Sequence, residues 1–149
     1  MVEVSLKLPY RRDIERYAKR IIRKLKPRLI VLYGSMAKGT YGVGSDIDLL
    51  IISDKLPHNF LDRLKLLNEM NITNAPIEAL GYTTKEFENM LRKKNPTAFD
   101  ALEEGIILYD DGYLMKIKNL FEKIKEELGL VKVEDYWESR MGIKGFYTA

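Results

Sequence analysis

Asp46-Ile47-Asp48 is the acidic pair on which chemistry could turn. Residues two apart on a strand point to one face, so both carboxylates project together while Ile47 points the other way. Adjacent carboxylates repel, and a divalent cation relieves that repulsion; ligands that are all oxygen suit Mg²⁺. Upstream, Gly34-Ser35 follows directly on the apolar run Leu29–Tyr33, which reads as a buried strand. Glycine lets a backbone come close, and free N–H groups at a helix start attract phosphate. A phosphate site and a Mg²⁺ site on one wall describe a nucleoside triphosphate site.

Other residues extend this constellation. Lys38 ends the short helix expected over 35–38, where it either reaches a phosphate or stays in solvent. Ser45 either hydrogen-bonds a phosphate or orients Asp46. Glu78 interrupts the apolar run 76–82, read as a third strand; it either faces water from a sheet edge or supplies a third carboxylate. Tyr41, in the glycine-rich loop, either stacks on a base or is simply exposed. His58, the single histidine, follows Pro57 in a loop and is given no catalytic role. Asp110-Asp111-Gly112 reads as turn chemistry rather than a metal site.

Gly34-Ser35-Met36-Ala37-Lys38-Gly39 followed by Ser45-Asp46-Ile47-Asp48-Leu49 resembles the DNA polymerase β-like nucleotidyltransferase superfamily, and most of all its minimal nucleotidyltransferase branch. The resemblance implies an α/β (α+β) fold, a small mixed β-sheet flanked by helices. It implies transfer of a nucleoside monophosphate, AMP from ATP by default, to a hydroxyl acceptor with pyrophosphate leaving. Asp46, Asp48 and Glu78 would then be the catalytic and metal-binding residues, holding two Mg²⁺ ions. Gly34, Ser35, Lys38 and Ser45 would bind the nucleotide. Two positions depart from the family pattern: arginine is frequent where Lys38 stands, and aspartate is usual where Glu78 stands. Many members of the branch act as antitoxins by adenylylating a HEPN-domain partner, so such a protein is the expected acceptor. The chain is short for a separate acceptor domain, and a partner or a homo-oligomer is expected to complete the site. A small-molecule acceptor is the second enzymatic reading. A catalytically silent nucleotide-binding module is the reading from another class.

The rest of the chain must position these groups. Its 149 residues suit one domain, with a core at about 10–129 and an aromatic tail at 130–149. A hydrophobic fraction of 46% is that of a globular protein, and a net charge of +3 is too mild to argue for nucleic acid. Cysteine is absent, which excludes disulfides and cysteine-ligated zinc. No apolar run is long enough for a membrane span and no signal-peptide core is seen, so a cytoplasmic location is expected. Abundant Lys, Arg and Glu without Gln lean towards a thermophilic source.

Apolar periodicity predicts a helix over 10–26 with Ile14, Tyr17, Ala18, Ile21, Ile22 and Leu25 inward and a solvated basic face carrying Arg12, Arg16, Lys19, Arg20 and Arg23. A second strand is expected to open at 46–48 and run to 52. Helix 59–70 should turn Phe60, Leu61, Leu64 and Leu67 to the core. Thr83 or Thr84 should cap a helix reaching about 94. Helix 96–104, strand 106–109 and helix 113–128 follow. A short arm or edge strand is expected over 2–8. The aromatic tail, with Tyr136, Trp137, Met141, Phe146 and Tyr147, should dock either on its own domain or on a partner.

Overall fold

The computed structural model describes residues 8–42, 44–134 and 136–139. Among these described residues six helices and six strands follow in the order α1 (Arg11–Leu25), β1 (Leu29–Tyr33), α2 (Gly34–Lys38), β2 (Ile47–Ile52), α3 (Phe60–Glu69), β3 (Ile77–Tyr82), α4 (Thr84–Arg92), α5 (Pro96–Glu104), β4 (Ile106–Asp110), α6 (Tyr113–Leu128), β5 (Leu130–Val133) and β6 (Tyr136–Ser139). The main sheet has the order β3-β2-β1-β4. β1 runs antiparallel to β2 and β4, whereas β2 and β3 are parallel, so the sheet is mixed as expected. The expected arm over 2–8 lies outside the described residues except for Leu8, as do Met141, Phe146 and Tyr147.

β1 and β2 are continuous apolar runs because both faces of the sheet are covered. One face presents Ile30, Leu32, Ile47, Leu49 and Ile51 to the inward stripe of α1 and to Leu67 and Met70. The other presents Leu29, Val31, Leu50 and Ile52 to α4, α5 and α6, through Phe87, Leu91, Phe99 and Phe121 among others. The α1 stripe falls where helical spacing puts it, and Tyr17 donates from its hydroxyl to the Leu67 carbonyl at 2.7 Å. The basic face is not wholly solvated: Arg20 Nε donates to the Met70 carbonyl at 3.0 Å.

The apolar assignment in α3 needs correction. Leu67 is buried, but Phe60 and Leu61 are 42% and 73% exposed. The side chain turned inward at the start of α3 is Arg63, with only 3% exposure. Its guanidinium donates to the Pro57 carbonyl at 2.6 Å, to the Gly81 carbonyl at 3.3 Å and to Glu86 at 2.6 Å. A buried cation persists only with such a full set of partners, and this set ties α3 to the end of β3 and the start of α4. Glu86 also completes a capping box with Thr83, which decides the choice between the two threonines.

The chain after α6 forms a β5–β6 hairpin that the sequence reading did not resolve. Trp137 is fully buried, edge-on to Phe99 and Phe121 with ring centroids 5.2 and 5.9 Å away. Its Nε1 donates to Asp100 at 2.9 Å. That part of the tail therefore docks on its own domain.

Candidate active site

Strand register assembles the acidic site. Asp48 pairs with Tyr33 on β1 and with Glu78 on β3. Residues directly opposite in a sheet share a face, so Tyr33, Asp48 and Glu78 form one row across three strands. The row continues the face that carries Leu29, Val31, Leu50 and Ile52, one step beyond the apolar residues. Asp46 stands one residue before the first paired position of β2, so the strand opens at Ile47 rather than at the acid itself. The Ile47 N–H donates to the Pro76 carbonyl at 2.8 Å and fixes the start of β2 beside β3.

Gly34 explains why the turn comes so close to the acids. Its φ of +72° is left-handed, and a Cβ there would run into Asp48 Oδ2 and lie 3.4 Å from Asp48 Cγ. A residue with a side chain would hold this turn only by straining the backbone and pushing the carboxylate aside. Ser35 follows in the same turn.

Asp48 is half-buried, and its carboxyl is pushed up from the ordinary 3.8 to about 6. Burial is the larger cause, followed by the charges of Glu78 and then Asp46. Tyr33 is raised as well, first by burial and then by Asp48, Tyr82 and Glu78. In the sequence Tyr33 marks only the end of a strand, and its place immediately before Gly34 is the signal that sets it at the site. Among the described residues no ion pair reaches Asp46, Asp48 or Glu78. Their mutual repulsion is therefore not relieved by an ion pair with any lysine or arginine among the described residues.

That unrelieved negative charge on oxygen-only donors fits a hard divalent cation. The fit is one of chemistry and register. Among the described residues no three acidic or imidazole side chains already stand in a cage around a cation position. Glu78 is exposed at the sheet's edge, beside Asp48 in register.

The remaining candidates have partners of their own. Ser45 Oγ accepts from the Gly42 N–H at 2.9 Å, while its N–H donates to the Gly42 carbonyl at 3.2 Å, so it staples the glycine-rich loop. Lys38 Nζ lies 3.5 Å from Glu104 Oε2 on α5. Tyr41, with Tyr10, Met36, Ser45 and Pro76, borders a cavity of about 620 Å³ next to this loop. Asp110 accepts from the N–H groups of Gly112 and Leu114, which makes it a turn residue as expected.

A small mixed sheet in which β1 runs into a glycine-serine turn, with Asp46 just before β2 and Asp48 within it, is the arrangement of a nucleotidyltransferase. The family model described as "Nucleotidyltransferase domain" matches residues 14–138, and the chain belongs to that family. The resemblance carried by Gly34–Gly39 and Ser45–Leu49 is thereby borne out. A protein of Methanocaldococcus jannaschii, provisionally named a protein adenylyltransferase, is 33% identical over 104 residues, covering 64% of this chain and 71% of that one. Among solved structures, a toxin-antitoxin complex with AMP-PNP is similar at 18% identity, with a TM-score of 0.49, 77% of this chain and 92% of that one covered. A tri-AMPylated Shewanella oneidensis HEPN toxin in complex with MNT antitoxin gives 15% identity and a TM-score of 0.43, covering 78% and 92%. The chain is a nucleotidyltransferase, and among its described residues no helix is long and apolar enough to cross a membrane.

Proposed function

We propose that the protein transfers AMP from ATP to a hydroxyl group on a partner protein, in a Mg²⁺-dependent reaction. The observation that carries this reading is the register Tyr33–Asp48–Glu78, with Gly34 pressed against Asp48. It supports a triphosphate lying along the α2 turn while its α-phosphate faces the acids.

Gly34 and Ser35 bind phosphate oxygens through backbone N–H groups and the serine hydroxyl, and Lys38 supplies a positive charge. Ser45 keeps the following loop closed, so that Asp46 meets the nucleotide from a fixed start of β2. Asp46, Asp48 and Glu78 would hold two Mg²⁺ ions, which would supply charge neutralisation for the transfer and would lower the pKa of the attacking hydroxyl. The acceptor oxygen forms a bond to the α-phosphorus as the bond from that phosphorus to the bridging oxygen breaks. Pyrophosphate leaves with that bonding pair. Glu78, exposed at the rim of the site, takes the hydroxyl proton on a carboxylate oxygen.

A protein acceptor is favoured by the relative provisionally named a protein adenylyltransferase. A HEPN-domain protein is the acceptor class we infer from the minimal nucleotidyltransferase resemblance. Transfer to a small molecule remains the second reading, and a silent nucleotide-binding module is the reading against which the reaction is tested. The test is Mg²⁺-dependent pyrophosphate release from ATP with candidate HEPN proteins present, in the native chain and in Asp46→Ala, Asp48→Ala and Glu78→Ala. Activity in the native chain, lost in all three variants with their melting points kept, is the expected result. ATP binding without transfer to any acceptor would leave only the module.

A further inference from the structure

Glu104 ends α5 and lies between two lysines. Its Oε2 is 3.5 Å from Lys38 Nζ, at the end of α2. Its Oε1 is 4.0 Å from Lys132 Nζ, on β5. Lys132 is itself anchored: its side chain is only 9% exposed, and it donates to Asp100 Oδ1, which also accepts from Trp137 Nε1. The two ammonium groups are thus unlike. One is fixed in the hairpin core, and the other sits on the helix that follows the glycine-serine turn. The Lys38 and Glu104 side chains remain 27% and 28% exposed, so solvent and an incoming anion reach both.

We propose that Glu104 is a positioning residue that holds Lys38 until the triphosphate takes its place. The inference rests on the reading of Lys38 as a phosphate ligand. A lysine head is a compact charge on a flexible stem with three rotatable donors, so it changes partner by side-chain rotation alone. The triphosphate offers more negative charge than one carboxylate and wins the exchange. Glu104 is not stranded when Lys38 leaves, because Lys132 stays beside it. Removing Glu104 therefore frees Lys38 without leaving a buried charge unpaired. A partly exposed pair of this kind is weak, so the competition lowers nucleotide affinity by only about two- to fivefold.

The test is calorimetric titration with AMP-PNP and Mg²⁺ of four forms of the full chain: native, Glu104→Gln, Lys38→Met and the double variant. Glutamine keeps the shape of Glu104, methionine keeps the stem of Lys38, and melting curves check that each form folds. The exchange predicts that Glu104→Gln tightens binding by about two- to fivefold and that Lys38→Met weakens it. It also predicts that Glu104→Gln has no effect once Lys38 is gone. In turnover the change falls on KM for ATP rather than on kcat. An equal effect of Glu104→Gln with and without Lys38 would overturn the exchange and leave Lys38 as a ligand. So would unchanged or weakened binding in Glu104→Gln when Lys38→Met weakens it. If Lys38→Met alone leaves affinity unaltered, the phosphate role of Lys38 fails first, and the exchange fails with it.

Discussion

Replacing Asp48 by asparagine should stabilise the protein while abolishing its reaction. In the fold the Asp48 carboxyl is raised from 3.8 to about 6, by burial first and then by Glu78 and Asp46. The folded state thus holds this proton to a higher pH than the unfolded chain does. Below about 4 both states are protonated and the site costs nothing; as pH rises through about 6 the folded state must ionise a crowded carboxyl, and stability falls. A rise of this size would correspond to about 3 kcal/mol for a fully enclosed group. Asp48 is half-exposed, and solvent screening reduces that to about 1 kcal/mol. Asparagine keeps the shape and removes the charge, so Asp48→Asn should melt about 2–4 °C higher than the native chain at pH 7.5. At pH 4 the two should melt together. Millimolar Mg²⁺ should raise the native melting point at pH 7.5 and have less effect on the variant, because it neutralises the same crowding. Melting curves by circular dichroism at the two pH values, with and without Mg²⁺, measure all of this. A variant that is less stable at pH 7.5, or equally stabilised at both pH values, would refute the claim that the acids repel each other.

Gly34→Ala puts a Cβ into Asp48 Oδ2 at a left-handed φ of +72°, and should cost about 1–3 kcal/mol as well as ATP-dependent pyrophosphate release. Full activity in that variant would show that the close approach is dispensable. Trp137→Ala should lose about 3–5 kcal/mol in urea unfolding, since the ring is fully buried against Phe99 and Phe121. A negligible loss would mean that the hairpin contributes little to the core. Arg63→Met should cost about 2–4 kcal/mol, because it strips the donors from buried carbonyls, whereas Glu86→Gln should cost less than about 1 kcal/mol. The Glu86 carboxyl is held below its ordinary value mainly by its hydrogen bond from Arg63, so its stabilisation is present at neutral pH and lost on acidification. Arg63→Met should flatten that acid-side loss in a series of melting points.

Much of the fold was written in local pattern. Period and length alone mark α1, because an amphipathic helix on a sheet needs only one apolar stripe. β1 and β2 are legible as unbroken apolar runs, because strands covered on both faces have no polar side to show. The glycine-serine turn and the paired acids were legible because a backbone approach and a two-residue strand period leave fixed spacings. The start of α3 was misread for a reason of the same kind. Phe60 and Leu61 satisfy a helical pattern, but the inward position is decided by carbonyls from 57 and 81 and by Glu86, none of them local to Arg63.

What stands beside what was set by packing between distant elements. No spacing along the chain says that β3 pairs parallel to β2 with Glu78 opposite Asp48, or that Tyr33 completes the row. Nor does it say that Glu104 reaches Lys38 or that Asp100 receives Trp137. Sequence fixes the chemistry a residue carries and the face of its own element. Which distant charge it meets depends on strand register and helix docking, and these are set by packing across the whole core.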